Sequence, residues 1–335
     1  MAEKITGATR ARRGMAPRCA LTAALVLAGA AVVSAAQDFP NRPVRLIAGS
    51  PGSTGDFSAR YIAQRLSERW RQQVVVDNRP AVGGIVAAEI VAKANPDGHT
   101  LIVSGISVHA TAQFLFRKLP FDPLRDFAPV SNLTNSGIVI VVIPTVPAHN
   151  LRDFISYAKG RAGGVNYASS VAGSSSHLAG ELFNQLTGAG LVHIPFKGAG
   201  YSMTALMTNE VQSAFLSTTT TSTQVRAGRL RALALLGTQR YAGMPEVPTA
   251  AEQGYPGLES NVWFGLFAPA RTPPALVARI NREVVDILRQ PDTQQAMLTQ
   301  GAEPAPNSPA EFEAFVKRES LKWGRVIREA KIEVQ

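Results

Sequence analysis

Short apolar runs alternate with amphipathic stretches along most of this chain. Val44–Ala48 reads as a buried strand, and the Gly/Ser-rich turn 49–55 follows it. Phe57, Tyr61, Ile62, Leu66 and Trp70 then recur at three- and four-residue spacing, the stripe of a helix packed on a sheet. The same rhythm predicts strands over 74–76, 101–103, 138–143, 165–169, 191–194, 211–216 and 231–236. Helices are expected over 83–94 and 178–186, with another opened by Asn150 as N-cap, and Asn95-Pro96-Asp97-Gly98 marks a turn. The C-terminal third changes character. Thr272-Pro273-Pro274 opens a helix carrying Leu276, Val277, Ile280, Val284, Ile287 and Leu288 on one face. Ser308-Pro309-Ala310-Glu311 is a capping box opening a last helix with Phe312, Phe315, Val316, Trp323, Val326 and Ile327, and no strand is expected after it.

Strand–helix alternation predicts an α/β fold with mostly parallel sheets covered by helices on both faces. Ligands of such folds sit in the crevice beyond the strand carboxyl ends, where the 49–55 turn falls. No repeat or long linker is visible, so two domains would be joined by strands passing between them, with 138–143 and 262–268 as candidates. The expected organisation is domain 1 over 37–140 plus 263–335, with domain 2 inserted as 141–262.

The start of the chain stands apart. Lys4, Arg10, Arg12, Arg13 and Arg18 face only Glu3, an apolar run spans Ala20–Val33, and Ser34-Ala35-Ala36 closes it. This is the pattern of a secretory signal peptide cleaved near Ala36, and the run is short for a bilayer span. The reading makes this an exported protein, with the mature chain not membrane-inserted. Cys19, the single cysteine, leaves with the leader, which excludes a disulfide scaffold and a cysteine-based zinc site. The formal charge of +10, from 34 Lys+Arg against 24 Asp+Glu, falls to +6 once the leader's net +4 is removed. The remaining cations are scattered over helix faces rather than striped with aromatics, so nucleic acid is not expected as a partner; a mild bias toward small anions is.

Two turns carry candidate chemistry. Ser50-Pro51-Gly52-Ser53-Thr54-Gly55-Asp56 joins strand to helix, where small residues and unpaired helix-start amides suit an anion. Asp56 fits a helix cap better than a ligand contact. Ser169-Ser170-Val171-Ala172-Gly173-Ser174-Ser175-Ser176-His177 repeats the device with added hydroxyls. A serine of 174–176 with His177 as base would make an exported hydrolase, but the Gly-x-Ser-x-Gly elbow is missing. His99, His109, His149 and His193 lack metal-ligand spacing, and His109, after Gly105-Ile106-Ser107-Val108, fits a buried structural histidine. Thr218–Ser222 could line a polar pocket or simply start a helix, and Trp263-Phe264-Gly265 could be core or pocket wall. No metal or cofactor is expected.

Many of these segments also resemble one family. Phe39-Pro40-Asn41-Arg42-Pro43-Val44, Asn78-Arg79-Pro80-Ala81-Val82-Gly83-Gly84, Pro96-Asp97-Gly98-His99-Thr100-Leu101 and Leu119-Pro120-Phe121-Asp122-Pro123 match it in order. So do Ser175-Ser176-His177-Leu178-Ala179-Gly180-Glu181-Leu182-Phe183, Pro195-Phe196-Lys197-Gly198, Pro245-Glu246-Val247-Pro248-Thr249 and Trp263-Phe264-Gly265-Leu266-Phe267-Ala268-Pro269. The chain is similar over nearly all its mature length to the Bug-type substrate-binding receptors of tripartite tricarboxylate transporters. The resemblance implies a type II periplasmic binding protein fold, two α/β domains joined by two crossover strands and closing on a ligand between them. It implies a non-enzymatic receptor that delivers a small carboxylate to membrane permease subunits, acting as a monomer. An alternative role is signalling to a two-component kinase. Expected ligand contacts are the amides of Gly52, Ser53 and Thr54, the hydroxyls of Ser170, Ser174 and Ser175, and shaping residues Ser50, Asp56, Ser107, Thr218, Thr219 and Trp263. This chain departs from the family's first turn, with Gly49 where an aromatic is usual and Ser53 where a second glycine is usual. Leu216 stands where many relatives carry a polar or acidic residue, so the expected ligand is a carboxylate without a required ammonium.

Overall fold

The architecture is organised by one long strand. In this computed structural model, which describes Met1 and residues 39–80, 82–170 and 173–332, strand β4 runs Phe127–Val142 and belongs to both halves of a ten-stranded sheet. The leader, Cys19 and the expected cleavage near Ala36 lie outside the described residues. The chain separates into two units, Met1–Asn41 and Arg42–Gln335, and the sheet belongs wholly to the second.

The strand order is β2-β1-β3-β9-β4-β7-β5-β6, with two further strands, β8 and β10, paired to β4 off this path. One half is built from β1 (Val44–Ala48), β2 (Val74–Asn78), β3 (Thr100–Gly105) and β9 (Asn261–Pro269). The other is built from β5 (Asn166–Ser169), β6 (Val192–Pro195), β7 (Ser213–Ser217) and β8 (Arg231–Leu235). The flanks are parallel, β1 with β2 and β3, β5 with β6 and β7. The centre is not: β4 pairs antiparallel with β9, β7 and β8, and β9 antiparallel with β3. This corrects the expectation of mostly parallel sheets. The helix-rich alternation describes the flanks, whereas β4 runs through both halves and β9 returns beside it, each antiparallel to its neighbours.

Eight helices matter for the site and its support: α1 (Thr54–Trp70), α2 (Ile85–Ala92), α3 (Leu151–Lys159), α4 (Ser175–Thr187), α5 (Ala199–Met207), α6 (Thr218–Arg226), α7 (Pro274–Leu288) and α8 (Pro291–Thr299). The closing helix α9 (Pro309–Glu329) begins at the capping box read from sequence, with Ser308 and Glu311 exchanging both bonds. Between α8 and α9 lies β10, Glu303–Pro304, two residues pairing with β4 that periodicity does not reveal. Among the described residues no helix is long and apolar enough to cross a membrane.

The first half of β4 is also absent from the sequence reading, because Ser131, Asn132, Thr134 and Ser136 interrupt its apolar pattern although all four are buried. Burial is tolerated where partners are supplied. Ser131 donates to the Asn307 carbonyl at 3.2 Å, and Thr134 shares a bond with Ser58 at 3.1 Å. The Asn132 amide donates to the Asn307 side chain at 2.9 Å. Beside it the core closes on Glu319 of α9, which accepts both indole N–H groups, from Trp263 at 3.1 Å and Trp323 at 2.9 Å.

Candidate functional site

Four strands, β1, β3, β5 and β7, end in turns that each open a helical segment. After β1, Ser53 caps α1 by accepting the Asp56 amide at 3.1 Å, while its hydroxyl donates to the Ser50 carbonyl at 2.8 Å. Gly52 holds the tight turn with φ +73° and donates its amide to Asp56 at 2.9 Å. Asp56 also accepts from Asn78 at 2.8 Å and from Arg60 at 3.1 Å. Burial alone would raise its pKa, but the Gly52 amide, Arg60 and Asn78 outweigh it and hold the carboxyl below its ordinary value. The amides of Gly52 and Ser53 are thus taken up inside the turn, the second by the Ser50 carbonyl at 3.3 Å. Thr54 and Gly55, at the first two helical positions, have no carbonyl four residues back within the helix and remain its outward donors.

After β3 a π turn, Ser107–Thr111, runs into a single α turn, Ala112–Leu115. Ser107 is half-buried at its head, its carbonyl accepting from Thr111 at 3.3 Å, and a Cβ placed on Gly83 would lie 3.9 Å from the Ser107 side chain. His109 has the structural role expected of it. It is buried, bonded to Ser104 at 2.6 Å and to the Pro123 carbonyl at 2.9 Å, and stacked on Phe267 at 3.8 Å.

After β5, Ser174 caps α4, and Ser170, Ser174 and Ser176 form a hydroxyl cluster on Ser176, with Oγ–Oγ distances of 3.1 and 2.9 Å. Ser176 also accepts the Ser170 amide at 2.9 Å. Ser175 is buried at the first helical position. His177 is committed elsewhere: its Nδ1 accepts the Gly173 amide at 2.9 Å, and its ring stacks on His193. Burial and His193 push its pKa down to about 3, which suits a structural acceptor and not a general base near neutrality.

After β7, Ser217 opens α6 without capping it, its hydroxyl bonded instead to Thr219 and Thr220 at 2.6 and 2.9 Å. Thr218 is fully buried and donates to the Gly301 carbonyl at 2.7 Å. Thr219 shares a hydrogen bond with Thr54 at 3.0 Å, so the starts of α1 and α6 meet tip to tip.

The expected site residues therefore divide. Thr54 and Thr219 are in direct contact. The 107–111 turn meets the second turn, where Thr111 donates to the Gly173 carbonyl at 3.5 Å and Gly173 lies against Leu115. Trp263 is placed elsewhere, fully buried with its ring edge-on to Phe312 and Phe315. Its neighbour Phe264 points the other way and fills the space above Gly55 and Gly105, where added Cβ atoms would come within 2.6 and 3.3 Å of its ring. Strand alternation separates the two aromatics. Gly301 is a second residue that sequence reasoning missed: φ is +78° there, and a Cβ would come within 2.8 Å of the Thr219 backbone. Nothing in the local sequence marks it.

Known proteins resemble the chain over most of its length. The family model of the tripartite tricarboxylate transporter family receptor matches residues 58–332. Protein BugT of Bordetella pertussis (strain Tohama I) is 34% identical over 307 residues, 91% of this chain and 94% of that protein. A solved R. palustris protein, Rpa4515 with adipate, is 34% identical with a TM-score of 0.83, covering 89% of this chain and all of that one. MatC from Rhodopseudomonas palustris, solved with bound malate, is 32% identical with a TM-score of 0.77, covering 86% and 100%. This chain belongs to the tripartite tricarboxylate transporter receptor family. It has that family's two-lobed periplasmic binding protein fold, and it is a periplasmic solute-binding receptor, not an enzyme.

Proposed function

We propose that this receptor captures a small carboxylate with no required amino group and delivers it, as a monomer, to a tripartite tricarboxylate-type permease. The division into 37–140 plus 263–335 and 141–262 belongs to the same proposal, with closure of the two parts around the solute as a hinge motion. One observation carries the reading: the turns after β1, β5 and β7 are built from hydroxyls and helix-start amides, while the one carboxylate among them, Asp56, is consumed by Gly52, Asn78 and Arg60. Such a site offers donors to carboxylate oxygens and nothing anionic to a ligand ammonium. Leu216 is buried in the core and adds no charge. Adipate and malate, the ligands of the two solved relatives, belong to the same chemical class. Within this reading Thr54 and Gly55 donate from the first turn, in preference to Gly52 and Ser53. Ser170, Ser174 and Ser175 donate from the second, with Ser107, Thr218, Thr219 and Phe264 shaping the space between.

A thermal-shift screen of residues 37–335 against aliphatic, aromatic and amino-acid carboxylates tests it. A ligand bound only by the folded state at a hundredfold over its Kd stabilises by about 2.7 kcal/mol, which displaces the melting midpoint visibly. Stabilisation by plain mono- or dicarboxylates supports the reading. Stabilisation by amino acids alone overturns it.

A further inference from the structure

The second turn is gripped from beneath by two imidazoles that solute contact does not itself require. His177 lies in the first turn of α4 and His193 on the edge strand β6 beside β5. Their rings stack with centroids 3.8 Å apart and planes within 11°. Each ring holds one end of the turn. Nδ1 of His177 accepts the Gly173 amide at 2.9 Å, and Nε2 of His193 is bonded to the Ser169 hydroxyl at 2.6 Å. Gly173, with φ +75°, holds a conformation that relies on this anchorage.

We propose that the stacked His177–His193 pair is a positioning device for the two flanks of the second turn, Ser169 and Gly173, that works only while Nδ1 of His177 carries no proton, so that acid loosens those flanks and weakens solute capture. The capture half rests on the reading of this turn as part of the solute site; the anchoring half does not.

The two rings differ in what a second proton would do. An amide N–H can only donate, so the bond from Gly173 fixes Nδ1 of His177 as the lone pair and puts its ring proton on Nε2. Protonating Nδ1 sets N–H against N–H and removes the bond. The partner of His193 is a hydroxyl, which donates or accepts, so that bond survives protonation and the cost there is a cation against the stacked ring. His177 is therefore the sensitive member.

The groups facing it set the direction. On its own helix Glu181 lies 3.8 Å from Nε2, and Tyr167 of β5 donates to Glu181 at 2.7 Å. From β6 comes His193. The last helix meets α4 through Gln185, which donates to the Val326 carbonyl, and its charges are engaged elsewhere, Arg325 with Glu329 and Arg328 over Phe114. Of these, only Glu181 favours a cation at His177. Its own proton affinity is raised by burial, and part of its charge is shared with Tyr167. Burial and His193 oppose the proton on His177, and burial opposes it on His193. Neutral rings at pH 7 and release under acid follow.

The test uses the unliganded protein first. Nitrogen-15 NMR of the histidine rings at pH 7 is expected to show His177 protonated on Nε2 alone. Amide exchange, corrected for intrinsic rates, is expected to be about tenfold faster for the peptide over 166–178 in His177→Phe, which keeps a flat ring but no acceptor. Ser169→Ala is expected to loosen the same peptide less. A proton on Nδ1 of His177 at pH 7, or His177→Phe exchange matching the parent, would overturn the anchoring. The wild-type NMR measurement decides even if the variant fails to fold. Titrations with adipate and malate at pH 7 and pH 4 then test capture, with affinity expected to fall severalfold more in the parent than in His177→Phe, the ligands' own protonation being common to both. An equal fall in parent and variant overturns the acid sensitivity. Failure of both probes to bind at any pH counts against the carboxylate reading, leaving the anchoring to the NMR and exchange results.

Discussion

The first and second turns do the same job with opposite chemistry. Each follows a parallel strand, opens a helix with a serine N-cap and includes a positive-φ glycine. The first is tied by a carboxylate: Asp56 accepts the Gly52 amide and is flanked by Arg60 and Asn78. The second is tied by neutral groups, the His177–His193 stack and the Ser170–Ser174–Ser176 hydroxyls. A charge-assisted clasp is strong and insensitive near neutral pH, whereas an imidazole clasp depends on withholding a proton. On the proposed reading one turn is a fixed wall of the solute site and the other an adjustable one.

The largest effect should come from cutting the fixed wall. Asp56→Ala leaves Gly52, Asn78 and Arg60 without their shared acceptor, at about 3 kcal/mol in urea unfolding. An unchanged midpoint would show that the carboxylate does not hold the first turn. Next come the glycines. Gly173→Ala meets both a positive φ and Leu115, whose nearest methyl lies 2.1 Å from the added Cβ, and should cost about 2–3 kcal/mol. Gly52→Ala has open space and carries the backbone penalty alone, about 1–2 kcal/mol. Equal losses would mean that the second turn is no more tightly packed than the first.

Acid separates the walls further. A histidine whose folded pKa is depressed contributes stability that is present above its ordinary value of 6.5 and lost as pH falls toward the folded value. That value is about 4 for His109 and His193 and about 3 for His177. For fully buried His109 the loss between pH 7 and pH 5 is about 2 kcal/mol. Glu181, raised by burial, runs the other way and offsets part of the pair's contribution. Asp56 is depressed from 3.8, so its contribution holds through this window and fades only below it. Exchange at pH 5 should accordingly loosen 169–177 while 49–56 stays protected; loosening of both together would erase the distinction. The smallest effect is at the contact joining α1 and α6. Thr54→Val and Thr219→Val should show a coupling of about 0.5–1 kcal/mol in a double-mutant cycle, and none if their 3.0 Å bond is incidental.

Apolar periodicity was enough to find β1, α1, α7 and α9, because each buries a continuous face, and α1 and α9 carry serine caps in the adjacent residue. It failed at the first half of β4, where the buried hydroxyls of Ser131 and Thr134 are satisfied by residues as distant as Asn307 and Ser58, and at the two-residue β10. The antiparallel centre was likewise hidden, since strand direction depends on how the chain returns between halves. At the site, the hydroxyl turns were legible; the cap expected at Asp56 falls on Ser53, with Asp56 tying the Gly52 amide instead. Trp263 was expected to shape the site, but the opposite faces of β9 put it in the core and Phe264 against the first turn. His177 and His193 meet only because β6 lies beside β5, a neighbour relation no local motif encodes.

Calorimetric titration of residues 37–335 with matched pairs, succinate against aspartate and glutarate against glutamate, tests the central claim most directly. The hydroxyl-lined site with its carboxylate already consumed predicts that within each pair the plain dicarboxylate binds at least as tightly as its amino counterpart. Tight binding of aspartate or glutamate with no heat from succinate or glutarate would contradict it.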